Sequence, residues 1–438
     1  MTRHAALSAI AVAGAASLAS PALAAAPALL AHQAPLVIDN AATAWILTST
    51  ALVLLMTLPG LALFYGGMVR KKNIISVIAQ SAAAFAIVSV LWFLVGYSLS
   101  FGKGPDAVNG LIGGVQAAFL NGVTMETAHS LLPGLPELLF VSFQMTFAII
   151  TPALIAGAFA ERMKFSASLL FFALWHLIVY APICHQVWGG GYLGSLGVLD
   201  FAGGAVVHVN AGVAGLVCAL VLGPRHGFGR DNMAPANLVY SAIGTGLLLV
   251  GWIGFNAGSA GAADALAATA AFNTILAAAA AAVGWMTVEW FDRKRPTLLG
   301  LLSGVVGGLV AITPAAGFVD PKGAFFIGLI AGPACYAGAV WLKHALKYDD
   351  SLDAFGVHGI GGIVGALLTG VFATTSINAL SEGATVWKQA LGLGGAIVWS
   401  AVGTFVVLMI CKFTTGLRVT KDEEVEGLDY TQHGEAIH

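Results

Sequence analysis

The chain has 438 residues, of which 58% are hydrophobic and only 9% charged, with a formal net charge of −2 and a mean hydropathy of +0.88. A soluble domain wets its surface with about 25% charged residues. Composition therefore excludes a water-soluble enzyme, a nucleic-acid binder and a disordered scaffold, and leaves a polytopic membrane protein, all-α because helices satisfy their own backbone in lipid.

In chain order, residues 1–24 read as a signal peptide. Arg3-His4 opens a basic start, an Ala/Leu/Ile/Val run follows, and Ala22-Leu23-Ala24 offers a cleavage site. The alternative is a retained first helix. Cleavage near Ala24 places the mature amino terminus outside the cell, in the periplasm of a bacterium.

Eleven windows free of Asp, Glu, Lys and Arg then follow: Thr43–Val69, Ile74–Phe101, Leu138–Ala160, Phe165–Leu199, Phe201–Pro224, Asn232–Ala263, Ala265–Val288, Pro296–Val319, Gly323–Leu342, Ala354–Ser381 and Gln389–Cys411. A crossing needs about 20 apolar residues, so each is long enough. The fourth is too long for one helix and is expected to finish crossing by Pro182. With an external start, alternate connections hold fifteen basic residues against three (Lys103, Lys322, Lys388) in the others. Positive charge collects on the cytoplasmic side, so this bias supports eleven crossings over residues 41–412. Residues 413–438 are too polar to span and read as a cytoplasmic regulatory tail. The 55 glycines suit closely packed membrane helices. Four scattered cysteines (Cys184, Cys218, Cys335, Cys411) form no CxxC pair.

Two motifs repeat across the middle of the chain. Gly60-Leu-Ala-Leu-Phe64-Tyr-Gly-Gly67 and Gly251-Trp-Ile-Gly-Phe255-Asn-Ala-Gly258 share G-x3-F-x2-G. His208-Val-Asn-Ala-Gly212-Val-Ala-Gly215 matches His358-Gly-Ile-Gly-Gly362-Ile-Val-Gly365, with Asp200 and Asp353 shortly upstream. Five helices per repeat is an odd number, so the halves run in opposite directions, as in inverted-repeat transporters with a midplane path.

His208 and His358 are ionisable groups inside spanning windows, in equivalent positions, and such groups mark a lumen. A lone histidine more often bonds a backbone carbonyl between helices, and His176, which has no counterpart, is read that way. No carboxylate lies deep in a window, so an unpaired cation has no seat there, while two imidazoles can bond a small neutral molecule or relay a proton. A cation is then recognised at the mouth, on aromatic faces. Phe143 and Phe147 share a helix face, Trp188 lies in the loop Val187-Trp188-Gly-Gly-Gly191, and Phe255 in Phe255-Asn-Ala-Gly-Ser259. Each has a plainer reading: helix packing for the Phe pair, an interfacial belt for Trp188, a helix-end cap for Ser259 and an N-cap for Asp200.

Pro59-Gly-Leu-Ala-Leu-Phe-Tyr-Gly-Gly67, Ala158-Phe-Ala-Glu-Arg162, Asp200-Phe-Ala-Gly-Gly-Ala-Val-Val-His208, Gly254-Phe-Asn-Ala-Gly-Ser259, Asp353-Ala-Phe-Gly-Val-His-Gly-Ile-Gly-Gly362 and the tail motif Gly416-Leu-Arg-Val…His433-Gly-Glu435 resemble the ammonium transporter (Amt/MEP/Rh) family, in its bacterial Amt form. The resemblance runs from about Ala41 to Glu435. It implies a homotrimer of eleven-helix subunits in the inner membrane, each with its own pore, and no cofactor. Carried over, Trp188, Ser259 and Phe147, with Phe143 beside them, form an outer ammonium site; Phe147 and Phe255 form a gate; His208 and His358 are twin pore histidines; and Asp200 supports the outer site structurally. The tail implies a cytoplasmic signalling partner of the PII type. Two rivals stand beside transport. One is an ammonium sensor, against which the 27 residues after Cys411 leave no room for an added signalling domain. The other is a membrane metal enzyme using Cys184, His185 and His208, which lacks the expected acidic ligands and clustered spacing.

Overall fold

The computed structural model describes residues 33–437, so the expected signal peptide lies outside the described residues. It is built almost wholly of helices. Ten are long and apolar enough to cross a membrane: α1 (Asn40–Met68), α2 (Lys71–Phe101), α3 (Glu137–Phe159), α4 (Phe165–Ser195, interrupted after Val187), α5 (Gly204–Leu222), α6 (Leu238–Gly258), α7 (Ala265–Arg293), α9 (Pro321–Leu346), α10 (Phe355–Phe372) and α11 (Val386–Thr414). The remaining window, Pro296–Val319, holds α8 (Leu298–Ile312), whose 15 residues fall short of a full crossing. A two-stranded antiparallel ribbon pairs β1 (Gln33–Pro35) with β2 (Thr127–His129).

Polar caps set where six of these helices start, so that α1, α9 and α11 begin two or three residues ahead of their charge-free windows. Asp39, Asn237, Asp264, Thr297, Asp320 and Thr385 each accept an N–H of the first turn of α1, α6, α7, α8, α9 and α11, the usual service of an N-cap side chain. Proline shapes two others. Pro59 breaks α1 at a wide π-turn over Met56–Leu61, where Leu58 leaves helical geometry. In α4 the chain does not leave the helix at Pro182. A π-turn over His176–Tyr180 directly precedes it, and the helix holds to Val187. Such a wide turn re-sorts the hydrogen-bond ladder where proline has no N–H to give.

Both repeats are visible as packing. α1 lies against α6, and each contributes glycines where the backbones meet. A Cβ on Gly67 would lie 2.5 Å from the Asn237 carbonyl, and one on Gly251 would lie 2.6 Å from the Leu52 carbonyl. Small residues permit this approach, which in lipid substitutes for hydrophobic driving force.

The polar tail folds back onto the helix ends. Val419 N–H donates to the Arg162 carbonyl at 3.1 Å and Lys164 N–H to the Leu417 carbonyl at 2.9 Å. Two short helices, α12 (Lys421–Glu426) and α13 (Leu428–His433), follow. Asp429 accepts Ser76 N–H at 2.8 Å, Asn73 accepts Leu428 N–H at 2.9 Å, and Lys72 donates to the Val425 carbonyl. The His433 ring packs edge-on against Phe165.

Candidate substrate path

α5 and α10 open in the same way. Each begins with a π-turn that carries its histidine, Gly204–Val209 and Phe355–Gly359, and continues as a 13-residue α-helix, Asn210–Leu222 and Ile360–Phe372. The histidines thus sit in the first turns, and the two turns meet. His208 and His358 lie 3.3 Å apart, Nδ1 to Nδ1, with rings inclined by only 15° and 1% and 3% exposed. One Nδ1 must donate and the other accept. His208 Nε2 is buried with no protein partner.

The glycines after each histidine explain this approach. A Cβ on Gly212 would stand 2.2 Å from the backbone N of Gly359, and one on Gly362 would stand 2.8 Å from Val209 Cγ2. Each repeat supplies the small residue against which the other's histidine turn packs. H-x3-G is therefore a contact rule between halves.

A column of rings leads away from the pair. Trp252 stacks on His208 at 5.2 Å and 17°, fixed by its indole N–H donating to Thr313 Oγ1 at 2.8 Å. Phe255 lies 6.0 Å from His208 and stacks on Phe147 at 4.2 Å. Phe147 meets Trp188 at a right angle at 5.9 Å and Phe143 at 5.0 Å. Phe147, Phe143 and Phe255 are buried, whereas Trp188 is partly open. Ser259 donates its hydroxyl to the Phe255 carbonyl at 2.8 Å, the helix-end bond of the plainer reading, which leaves its oxygen able to accept.

Asp200 binds four successive N–H groups, those of Gly203, Gly204, Ala205 and Val206, at 2.5–3.0 Å. Its own carbonyl accepts the Trp188 indole N–H at 2.8 Å. It caps α5 and holds the tryptophan at once. At α10 the corresponding residue is Asp350, not Asp353. Asp350 stands eight residues before His358, as Asp200 does before His208, and accepts the N–H groups of Ala354 and Phe355. Asp353 instead takes a positive φ of 59° and pairs with Lys343. The motif Asp353-Ala-Phe-Gly-Val-His misled because it starts at the nearer aspartate.

The His358 turn stands over an ionic cluster. Arg225 bridges Asp349 and Glu161, and Glu161 also binds Arg70. Arg162 donates to Ser351 Oγ and to the Asp349 carbonyl at 2.6 Å each. Burial opposes ionisation of Glu161, but Arg225 and Arg70 overcome it and hold its carboxyl below the usual range; Arg225 does the same for Asp349. Asp350 differs: burial, with Asp353 beside it, pushes its carboxyl up to about 6 despite Lys343.

Of the residues singled out from sequence, Trp188, Phe143, Phe147, Phe255, His208 and His358 form one continuous ring column, with Ser259 bonded to the Phe255 carbonyl and the Asp200 carbonyl accepting the Trp188 indole N–H. Sequence reasoning missed Trp252, whose i, i+3 spacing to Phe255 was the available signal. It also missed Trp45, whose indole donates to the Ala257 carbonyl at 3.2 Å. His185 faces the carbonyls of Ser100 and Asn109 through both ring nitrogens. Among the described residues, no three His, Cys, Asp or Glu side chains gather as a metal site. Glu137, fully buried at the start of α3, accepts the Tyr97 hydroxyl at 2.8 Å.

Comparison with known proteins agrees over nearly the whole described chain. The model of the Ammonium Transporter Family matches residues 44–437. The ammonium transporter of Bacillus subtilis (strain 168) is 49% identical over 410 residues, covering 90% of this chain and 98% of that protein. That of Aquifex aeolicus (strain VF5) is 48% identical, covering 92% and 94%. Among solved structures, Saccharomyces cerevisiae Mep2 superposes with a TM-score of 0.81 at 36% identity, covering 90% of each chain. A structure described as a sensor Amt protein superposes with a TM-score of 0.82 at 32% identity, covering 90% and 98%. The chain belongs to the ammonium transporter family.

Proposed function

We propose that this chain carries ammonium across the bacterial inner membrane by stripping the ion at an aromatic mouth and conducting neutral ammonia past its paired histidines. The observation that carries the reading is the unbroken ring column from Trp188 to His358. Ammonium docks against Trp188 and Phe147, with Phe143 behind, through cation–π attraction, and donates a hydrogen bond to Ser259. Asp200 acts through geometry, holding Trp188 and the α5 start. Phe147 and Phe255 must part for passage, so they gate the path. Beyond them the rings offer no counter-charge, and desolvating the intact ion there costs several kcal/mol. Ammonia is free of that penalty and bonds each imidazole in turn, then regains a proton inside. The proton either stays outside, making transport neutral, or follows through the imidazoles, moving one charge per ammonia.

The same reading has eleven crossings with inverted halves, a cleaved signal segment and a periplasmic amino terminus. The tail is cytoplasmic, the assembly a homotrimer, and a PII-type protein binds the cytoplasmic face. The chain needs no cofactor and performs no enzymatic chemistry.

Current and internal pH recorded together on proteoliposomes under an ammonium gradient test this directly. His208→Ala is expected to cut or alter flux at least tenfold, and unchanged methylammonium uptake and current would sink the histidine role. Trp188→Leu is expected to shift the concentration dependence upward; an unaltered curve argues against the aromatic site. The likeness to a sensor protein favours a second reading, in which tail signalling is the output. Reconstituted vesicles without flux, from folded protein, would turn the balance to it.

A further inference from the structure

The loop after α5 and the tail enclose a cleft that the transport path does not use. Its walls are Pro224–Phe228 and Arg230 on one side and Arg418, Val419, Lys421 and Glu424 on the other, with a volume of about 530 Å³. That lies within the roughly 300–1,000 Å³ of small-molecule clefts. Four side chains lining it carry fixed positive charge against one carboxylate. Two are already matched: Arg225 by Asp349 and Glu161, and Arg418 by Glu424 at 2.7 Å. Glu424 is fully engaged, since its other oxygen accepts His226 N–H at 2.5 Å. Arg230 and Lys421 remain. Both are exposed, and neither makes an ion pair among the described residues. The neighbouring Asp231 lies against Gly227.

We propose that this cleft binds a phosphoryl group, on a nucleotide-sized metabolite or a phospholipid headgroup, and that the anion clamps the tail to the α5 loop. A phosphoryl group brings negative charge and several acceptor oxygens, which suits convergent Arg and Lys donors. The unmatched cations come from both walls: Arg230 from the loop and Lys421 from the tail. An anion shared between them binds the docked tail better than a released one, so by linkage it stabilises docking. The half-buried ring of Phe228 gives the cleft an apolar face beside its charges. The inference stands apart from the transport reading, because its test reads binding and tail protection.

The test uses the full chain in neutral detergent with 150 mM KCl, probed with inorganic pyrophosphate and with ATP by calorimetry. In parallel, the chain sits in nanodiscs of phosphatidylglycerol or phosphatidylcholine, and amide exchange is followed across residues 417–434. The expected result is saturable binding of one ligand per chain, slowed exchange in the tail, and at least tenfold weaker binding for the double variant Arg230→Gln/Lys421→Gln. Lys294→Gln/Arg295→Gln, in another basic loop, is expected to change nothing. Slowed exchange only in phosphatidylglycerol, lost in the first double variant, assigns the site to a lipid headgroup. The proposal is overturned by no saturable binding together with equal exchange in both lipids, or by equal binding to both double variants. Should the first double variant unfold, as read by its melting curve, Lys421→Gln alone replaces it with the same criteria.

Discussion

The starts of α5 and α10 carry the same device, a capping aspartate eight residues ahead of a histidine on a π-turn, yet their surroundings are opposites. Asp200 spends its carboxylate on four backbone N–H groups and its carbonyl on Trp188, among rings and glycines. Asp350 binds two N–H groups and sits among Lys343, Asp353, Asp349 and Arg162. The same local device produces the histidine pair, and the two ends differ in what surrounds it. One end presents aromatic faces and the other a dense field of paired charge.

Substitutions can break this comparison. The largest effect is expected at Asp200. An unsatisfied buried N–H costs about 1–3 kcal/mol, so Asp200→Ala, which orphans four, should destabilise well beyond Asp350→Ala, which orphans two. Thermal unfolding in detergent ranks them, and equal losses would mean the caps are equivalent despite their bonding. Next come the glycines between the halves. Gly212→Ala meets backbone at 2.2 Å and Gly362→Ala meets a valine methyl at 2.8 Å. Overpacking costs about 1–3 kcal/mol, and the first should lie at the upper end, because backbone yields less readily than a side chain. It should also cut flux more, since it forces the imidazoles apart.

A smaller effect is the pH profile of the charged end. Asp350 has a raised carboxyl value, near 6, so the folded protein holds its proton more tightly than the unfolded chain does. Stability should therefore rise as pH falls from about 6 towards 4. Glu161 and Asp349 are held below the usual range, so their contribution is present above about pH 4 and is lost as pH falls through their folded values. Unfolding measured between pH 3 and 8 should show a maximum near pH 4, and Asp350→Asn should flatten its alkaline slope. A wild-type curve without that slope would remove Asp350 from the account. The smallest effect is Trp252→Leu, which strips the stack from His208. Flux should fall a few-fold with stability lowered by less than for Asp200→Ala.

Much of this was legible in the sequence because chemistry in lipid is conspicuous. Histidines inside apolar windows, aromatics beside a glycine loop and caps ahead of helices all stand out against leucine and alanine. What hid was what looks like packing. Trp252 and Trp45 read as ordinary apolar residues, since only a contact reveals that an indole braces a histidine or bonds a helix-end carbonyl. Asp350 hid behind the nearer Asp353, whose proximity along the chain is no guide to which carboxylate turns back onto the helix. In the fourth window, Pro182 suggested an exit, and the π-turn before it let the helix continue.

By itself the sequence determined the membrane, the helical class, the repeated motifs and the residue types along the path. Those follow from composition and period, which water and lipid sort locally. Only the tertiary structure decided that the two histidine turns meet at 3.3 Å, that the rings form one column and that the tail docks on the helix ends. These are contacts between segments separated along the chain by from about 40 residues, in the ring column, to 355, in the tail. They depend on which glycine faces which backbone, and no local preference carries that.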